Sequence, residues 1–231
     1  MPSKHVFKIK IILVGDCNTG KSTFIKKLND CQGVYTYQPT MGVDFHIHRI
    51  IDKEDPNTEY YLYFYDTSGN SKFNSIISSY YSYCPLAIFF TRPKTYIDEQ
   101  SMYTNLKKKV LDYKYFRTSG EVVILNNIDK SYNHSKYSDK TVKMFDKNEL
   151  SLYDVPYKSF IQVDLSDGYK TRNVTDVLLS IIKEKLLLEE WIVNITDGVN
   201  RIDEIIKYKD NKDKDNIVKT EKSKSNVCSI M

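Results

Sequence analysis

Eight residues constrain this chain more than any others. Gly15-Asp16-Cys17-Asn18-Thr19-Gly20-Lys21-Ser22 has the G-x-x-x-x-G-K-[S/T] spacing of a phosphate-binding loop. The two glycines let the backbone curl so that successive N–H groups point inward at phosphate oxygens. Lys21 adds a mobile positive charge, and the Ser22 hydroxyl can ligate Mg²⁺. The flanks make the pattern specific. Residues 9–14 read as a strand, alternating with lysine at first and then continuously apolar, as a strand buried on both faces does. Phe24, Ile25 and Leu28 then recur at helical spacing, so the loop runs into a helix N-terminus, where the dipole also favours phosphate. Gly15 through Thr23 are therefore the candidate phosphate-binding residues.

The rest of the chain alternates strands and helices. Residues 43–51 and 60–65 read as two strands joined by a short charged turn, hence a hairpin. Asp66-Thr67-Ser68-Gly69 follows at a strand's C-terminal end, the edge where ligands sit in open α/β sheets. A weakly helical stretch, 71–83, precedes a buried-length apolar strand at 86–90. A helix is predicted over 96–116, a strand over 121–125 that leads into Asn126-Asn127-Ile128-Asp129, and a helix near 140–150 within a long polar connection. Residues 160–163 form the last strand and 174–192 the last helix. The expectation is a three-layer α/β domain: a mainly parallel six-stranded sheet with one antiparallel strand and helices on both faces. One domain, 7–193, suits the 231 residues, followed by a charged, flexible tail at 194–231.

Bulk chemistry excludes several classes. A net charge of +4, spread along the chain, does not argue for nucleic acid. Cys17, Cys31, Cys84 and Cys228 are scattered without a C-x-x-C pair, which predicts neither disulfides nor zinc and suits a reducing compartment. The short polar start predicts no signal peptide, and no apolar run is long enough to span a bilayer. His46 and His48 share a strand face but lack an evident third ligand.

The loop, the phrase Pro39-Thr40-Met41-Gly42-Val43-Asp44-Phe45, the 66–69 corner and the Asn126-x-x-Asp129 corner occur in the order of a small GTPase of the Ras superfamily. With Ser78-Ser79-Tyr80-Tyr81 added, the chain most resembles the Rab branch. That resemblance implies a P-loop NTPase (small G-protein) fold, GTP/GDP and Mg²⁺ as ligands, and slow GTP hydrolysis. It assigns Ser22, Thr40 and Asp66 to the metal, Asp66 through water, and Tyr37, Thr40 and the Gly69 N–H to the γ-phosphate. Asn126, Asn127 and Asp129, with Asp164 and Leu165 of the last loop, fall to the base. The Asp129 carboxylate would accept from guanine N1–H and its 2-amino group, a donor pair that adenine lacks. Lys21, Thr40, Gly69 and Asn70 are the implied catalytic set.

Departures from the family pattern carry their own expectations. Asn70 stands where relatives have the water-positioning glutamine and is one methylene shorter, which predicts very slow hydrolysis. Cys17 and Asn18 put side chains where relatives often have small ones, crowding the γ-phosphate and an incoming arginine. Asn127 replaces a lysine that packs on the base, and Gly33 an aromatic. These predict weaker nucleotide affinity with guanine preference kept by Asp129. An alternative is a hydrolysis-impaired, GTP-loaded scaffold.

The resemblance also implies effectors, an exchange factor, a GTPase-activating protein and a role in vesicle trafficking for a monomer. Phe45, Tyr65 and Tyr80 match the aromatic positions that Rab proteins show to effectors. Cys228-Ser229-Ile230-Met231 fits the C-a-a-X rule, so a prenyltransferase, with farnesyl favoured by Met231, would anchor the chain to the cytoplasmic face of a membrane beside a cytosolic pool. One lipid anchors weakly; Lys219, Lys222 and Lys224 are the candidate second signal.

Overall fold

The computed structural model describes residues 5–29, 38–92, 99–128, 146–165 and 168–187. At its centre is β1 (His5–Gly15), the strand that feeds the phosphate loop. Ile11, Ile12 and Leu13 are fully buried. Alternate residues of β1 serve opposite faces because the side-chain period of a strand is two. Ile9, Ile11 and Leu13 join one core layer with Phe24 and Ile25 of α1 (Lys21–Leu28) and Val174, Leu178 and Ile182 of α5 (Gly168–Leu187). Ile12 and Val14 join a second layer with Ile77 of α2 (Asn74–Ser79) and Met102, Leu106 and Val110 of α3 (Glu99–Phe116). Each such side chain contributes about 1.5–3 kcal/mol relative to exposure, so the strand below the loop is held from both sides.

The sheet has six strands in the order β2-β3-β1-β4-β5-β6. The others are β2 (Val43–Ile51), β3 (Thr58–Thr67), β4 (Leu86–Thr91), β5 (Glu121–Asn127) and β6 (Ser159–Val163). Every neighbouring pair is parallel except β2 with β3. This is the three-layer arrangement expected. The strand order reverses beside β1, so the crevice outside the C-terminal ends of the parallel strands opens there. The β2–β3 turn is tied down by Asp52, which accepts from the Glu54 N–H at 3.0 Å and from Lys183 of α5 at 2.9 Å.

Several boundaries differ from the sequence expectation. β1 begins four residues early and β3 extends to both sides, because the two pair continuously from His5↔Thr58 to Leu13↔Asp66. Lys8 and Lys10 break the apolar pattern without breaking the ladder. The 71–83 stretch is α2 between two single turns of 3-10 helix. The helix expected near 140–150 appears as α4 (Lys147–Leu152), started by Asp146, whose side chain accepts from the Asn148 N–H at 2.7 Å. Residues 140–145 lie outside the described part. α5 begins six residues earlier than predicted, at Gly168.

Candidate functional site

The phosphate loop leaves β1 at Gly15 and enters α1 through Gly20, whose φ of +101° is a conformation that glycine adopts freely. A Cβ at Gly20 would also lie 2.7 Å from Leu165 and 2.9 Å from the Asn127 amide nitrogen, so the loop packs directly on the ends of β5 and β6. Lys21 is buried, and its ammonium donates to the Gly15 and Asp16 carbonyls at 2.8 and 2.9 Å. Burial pulls its pKa down to about 8, with Asp66 the strongest of the charges that oppose the shift. The side chain is thus folded back into its own loop, close to the position a phosphate would share. Above the loop is a cavity of about 500 Å³ lined by Lys21, Ser22, Thr40, Gly69, Asn70 and Asn127, among others.

Three oxygen donors come together at this cavity, two lining it and the third, Asp66, bonded to one of them. Ser22 Oγ and Thr40 Oγ1 are 3.1 Å apart, although 18 residues separate them in the chain. Asp66 is buried at the end of β3, and its Oδ1 has no hydrogen-bond partner. Burial pushes the Asp66 carboxyl above the ordinary carboxylate range, against the Ser22 hydroxyl and the Lys21 charge. Two hydroxyls beside an orphaned buried carboxylate oxygen form a hard, oxygen-only donor set that fits Mg²⁺. No cluster of three or more His, Cys, Asp and Glu suited to a metal occurs among the described residues, so His46 and His48 gain no third ligand there.

Gly69 lies hard against the loop. A Cβ there would fall 2.3 Å from the Cys17 amide nitrogen and 2.5 Å from the Asp16 carbonyl carbon. The next residue, Asn70, is exposed, and its side-chain oxygen accepts from the Lys72 N–H at 3.0 Å, capping the turn that leads to α2. That oxygen is therefore engaged in local structure.

At the far side, Asn126 accepts from the Thr91 hydroxyl at 3.1 Å, while its Nδ2 is buried without a partner. An unpaired buried amide is costly, and an acceptor supplied by a bound base would relieve it. Asn127 lines the cavity and also bonds to the backbone of two neighbouring loops. Its Nδ2 donates to the Thr19 carbonyl at 3.4 Å and its Oδ1 accepts from the Leu165 N–H at 3.3 Å, so it pins three loops together. Asp164 is buried beside them. Tyr37, Asp129 and Cys228 lie outside the described residues.

Phe45, Tyr65 and Tyr80 form one continuous cluster of tilted rings, with centroids 5.4 Å apart between Phe45 and Tyr65 and 5.3 Å between Tyr65 and Tyr80. Tyr63 extends it, 5.6 Å from Phe45, and was not singled out from the sequence despite its period-two spacing from Tyr65. Two other residues were missed. Arg92 donates from Nη1 to the Asn18 carbonyl at 3.2 Å, and Lys109 of α3 pairs with the Asp16 carboxylate. Arg92 follows β4 at the same sheet edge that pointed to Asp66 and Asn126, so the signal was present. Lys109 was hidden among the lysines of a helix face.

Comparison with known proteins bears on this geometry. The family model described as Roc, the Ras of Complex domain of DAPkinase, matches residues 10–129, more than half of the chain. The GTP-binding protein YPTM1 of Zea mays is 32% identical over 114 residues, 46% of this chain and 53% of that one. The Ras-related protein RabC of Dictyostelium discoideum is 33% identical over 104 residues, 41% and 53% of the two chains. The Ras-related protein Rab-1 of Theileria annulata is 40% identical over 78 residues, 34% of each. The chain thus spans about half the length, or less, of these relatives. No helix among the described residues is long and apolar enough to cross a membrane.

Proposed function

This chain belongs to the Roc/Ras-type GTPase family, close to its Rab members, and on that premise we propose that it is a Rab-like molecular switch that binds GTP and GDP with Mg²⁺. One observation supports this above the others: the buried Asp66 carboxylate, whose Oδ1 has no hydrogen-bond partner, meets the Ser22 hydroxyl, which lies beside Thr40 in the cavity that Lys21 and Gly69 also line. Lys21 leaves its carbonyl partners for the β- and γ-phosphates, and the loop amides hold the remaining phosphate oxygens. Ser22, Thr40 and Asp66 would hold Mg²⁺, whose positive charge would stabilise the phosphate oxygens. Because Thr40 and Gly69 sit on separate segments, a γ-phosphate engaged by both would order both, and its loss would release them. Water attacks the γ-phosphate; charge stabilisation by Lys21 and the backbone N–H groups carries the chemistry.

Hydrolysis is slow in this proposal because the Asn70 side chain is short and its oxygen caps the Lys72 N–H. The same observation favours a second reading, a GTP-loaded scaffold that barely turns over. In both, the unit is 7–193, the Phe45–Tyr65–Tyr80 cluster is the effector surface, and Cys228 of the 194–231 tail receives a prenyl group that brings the chain to a membrane in vesicle trafficking. An exchange factor and an activating protein complete the cycle. Displacement of a fluorescent GDP from the purified chain by GTP but not ATP, with release accelerated by EDTA, is the expected result. A folded chain that ignores GTP at millimolar Mg²⁺ would refute the proposal. Hydrolysis measured with and without a candidate activating protein separates the switch from the scaffold.

A further inference from the structure

In a planar trans peptide the C=O of one residue and the N–H of the next point in opposite directions. A loop that turns its amides toward a phosphate therefore turns its carbonyls away, and those carbonyls need donors of their own. Here most of them have one. The Gly15 and Asp16 carbonyls accept from Lys21 Nζ, and Asp16 accepts also from the Thr19 hydroxyl at 2.9 Å. The Gly20 carbonyl accepts from the Phe24 N–H at 2.8 Å, the first turn of α1. These donors all come from the loop and its own helix. The carbonyls of Asn18 and Thr19 are instead held from elsewhere in the fold, by Arg92 at 3.2 Å and Asn127 at 3.4 Å.

Asn18 itself adopts a left-handed φ of +61°, which asparagine accepts more readily than other non-glycine residues, so its carbonyl is aimed by the loop and held by Arg92. Arg92 is half-buried and lines the same cavity as Lys21, Thr40 and Gly69. We infer that Arg92 is a positioning residue for the nucleotide's phosphates: its guanidinium holds the Asn18 carbonyl outward and so turns the Thr19 N–H inward, while its charge adds to that of Lys21. The inference rests on the nucleotide reading above and goes beyond it by assigning this arginine. It also gives the loop a fixed cation supplied within the chain, where the side chains of Cys17 and Asn18 would obstruct one arriving from a partner.

The test uses the full chain, fluorescent GDP and stopped-flow release, with Arg92→Met, Arg92→Lys and Arg92→Gln. Loss of a charge-assisted hydrogen bond predicts GDP release about tenfold faster in Arg92→Met. Arg92→Lys, which keeps charge and a donor, should stay within about threefold of wild type, and Arg92→Gln, a donor without charge, should fall between. The salt dependence of GDP association should weaken in Arg92→Met and Arg92→Gln but not in Arg92→Lys, a difference that a purely structural role would not produce. Should Arg92→Met fail to fold, Arg92→Gln carries the comparison. Wild-type release rates in Arg92→Met, or an Arg92→Lys variant as impaired as Arg92→Met with the salt dependence unchanged in all, would overturn the inference while leaving nucleotide binding intact. A wild-type chain that binds no GDP would instead overturn the nucleotide reading itself, and this inference with it.

Discussion

Replacing Gly69 by alanine tests how tightly the 66–70 corner and the phosphate loop are fitted. The added Cβ would lie 2.3 Å from the Cys17 amide nitrogen, against 3.4 Å for ordinary contact, so one segment must retreat by about 1 Å. Every near neighbour is backbone (Cys17 N, Asp16 C, Cys17 Cα), and none can rotate away as a side chain would. Gly69 itself is not among the positive-φ residues, so alanine meets no dihedral penalty there, and the whole effect is steric. Overpacking costs about 1–3 kcal/mol in a rigid core. Gly69 is only half-buried and is followed by exposed Asn70, so this end of the corner relaxes more easily, and alanine's lower unfolded-state entropy offsets roughly 0.4–1 kcal/mol. Global stability should therefore change by less than about 1 kcal/mol. Binding should change more, and selectively. A Gly69 N–H displaced by about 1 Å would lose the hydrogen bond proposed to the charged γ-phosphate, worth about 1.5–3 kcal/mol, or roughly 10- to 150-fold. Competition against fluorescent GDP should show weakened binding of a non-hydrolysable GTP analogue, with GDP affinity within about threefold of wild type. Equal losses for both nucleotides, or none for either, would refute the reasoning.

Asn70→Gln frees the Lys72 cap and lengthens the side chain by one methylene; single-turnover GTP hydrolysis should rise by at least about tenfold, and an unchanged rate would place the block elsewhere. Ser22→Ala removes one of the two hydroxyls at the donor cluster, so Mg²⁺ should slow GDP release less in the variant than in wild type, approaching the rate of wild type in EDTA. Burial alone would raise Asp52, but the Glu54 N–H and Lys183 hold its carboxyl below the usual range. Its folded pKa is thus below its unfolded one, so this contribution is present above about pH 4 and is lost as pH falls through the depressed value. Lys183→Met leaves that buried carboxylate without its cation and should cost about 1–3 kcal/mol in urea unfolding at pH 7, with a smaller deficit in acid.

Much of the fold was legible because its signals are local. The period-two burial of β1, the loop glycines and the α1 spacing all concern neighbours in sequence, and the motif order followed from them. Element ends were less legible, because pairing partners decide them: nothing near His5 announces that it lies beside Thr58. The candidate site divides in the same way. The spacing of Gly15–Ser22 could be read directly as a candidate phosphate loop, whereas Thr40, Asp66, Gly69 and Asn126 became candidates through the order of motifs along the chain.

What each of those groups does with its remaining valence depended on tertiary contact. The Ser22–Thr40 approach, the orphaned Asp66 oxygen, the turning of Asn127 onto Thr19 and the reach of Arg92 to Asn18 join segments from 18 to 108 residues apart. Sequence by itself determined which residue types this chain offers as candidates for a phosphate and a metal. Only the packed sheet decided which of them are already satisfied and which still lack a partner, because hydrogen-bond satisfaction is a property of distances between strands' ends and not of order along a chain.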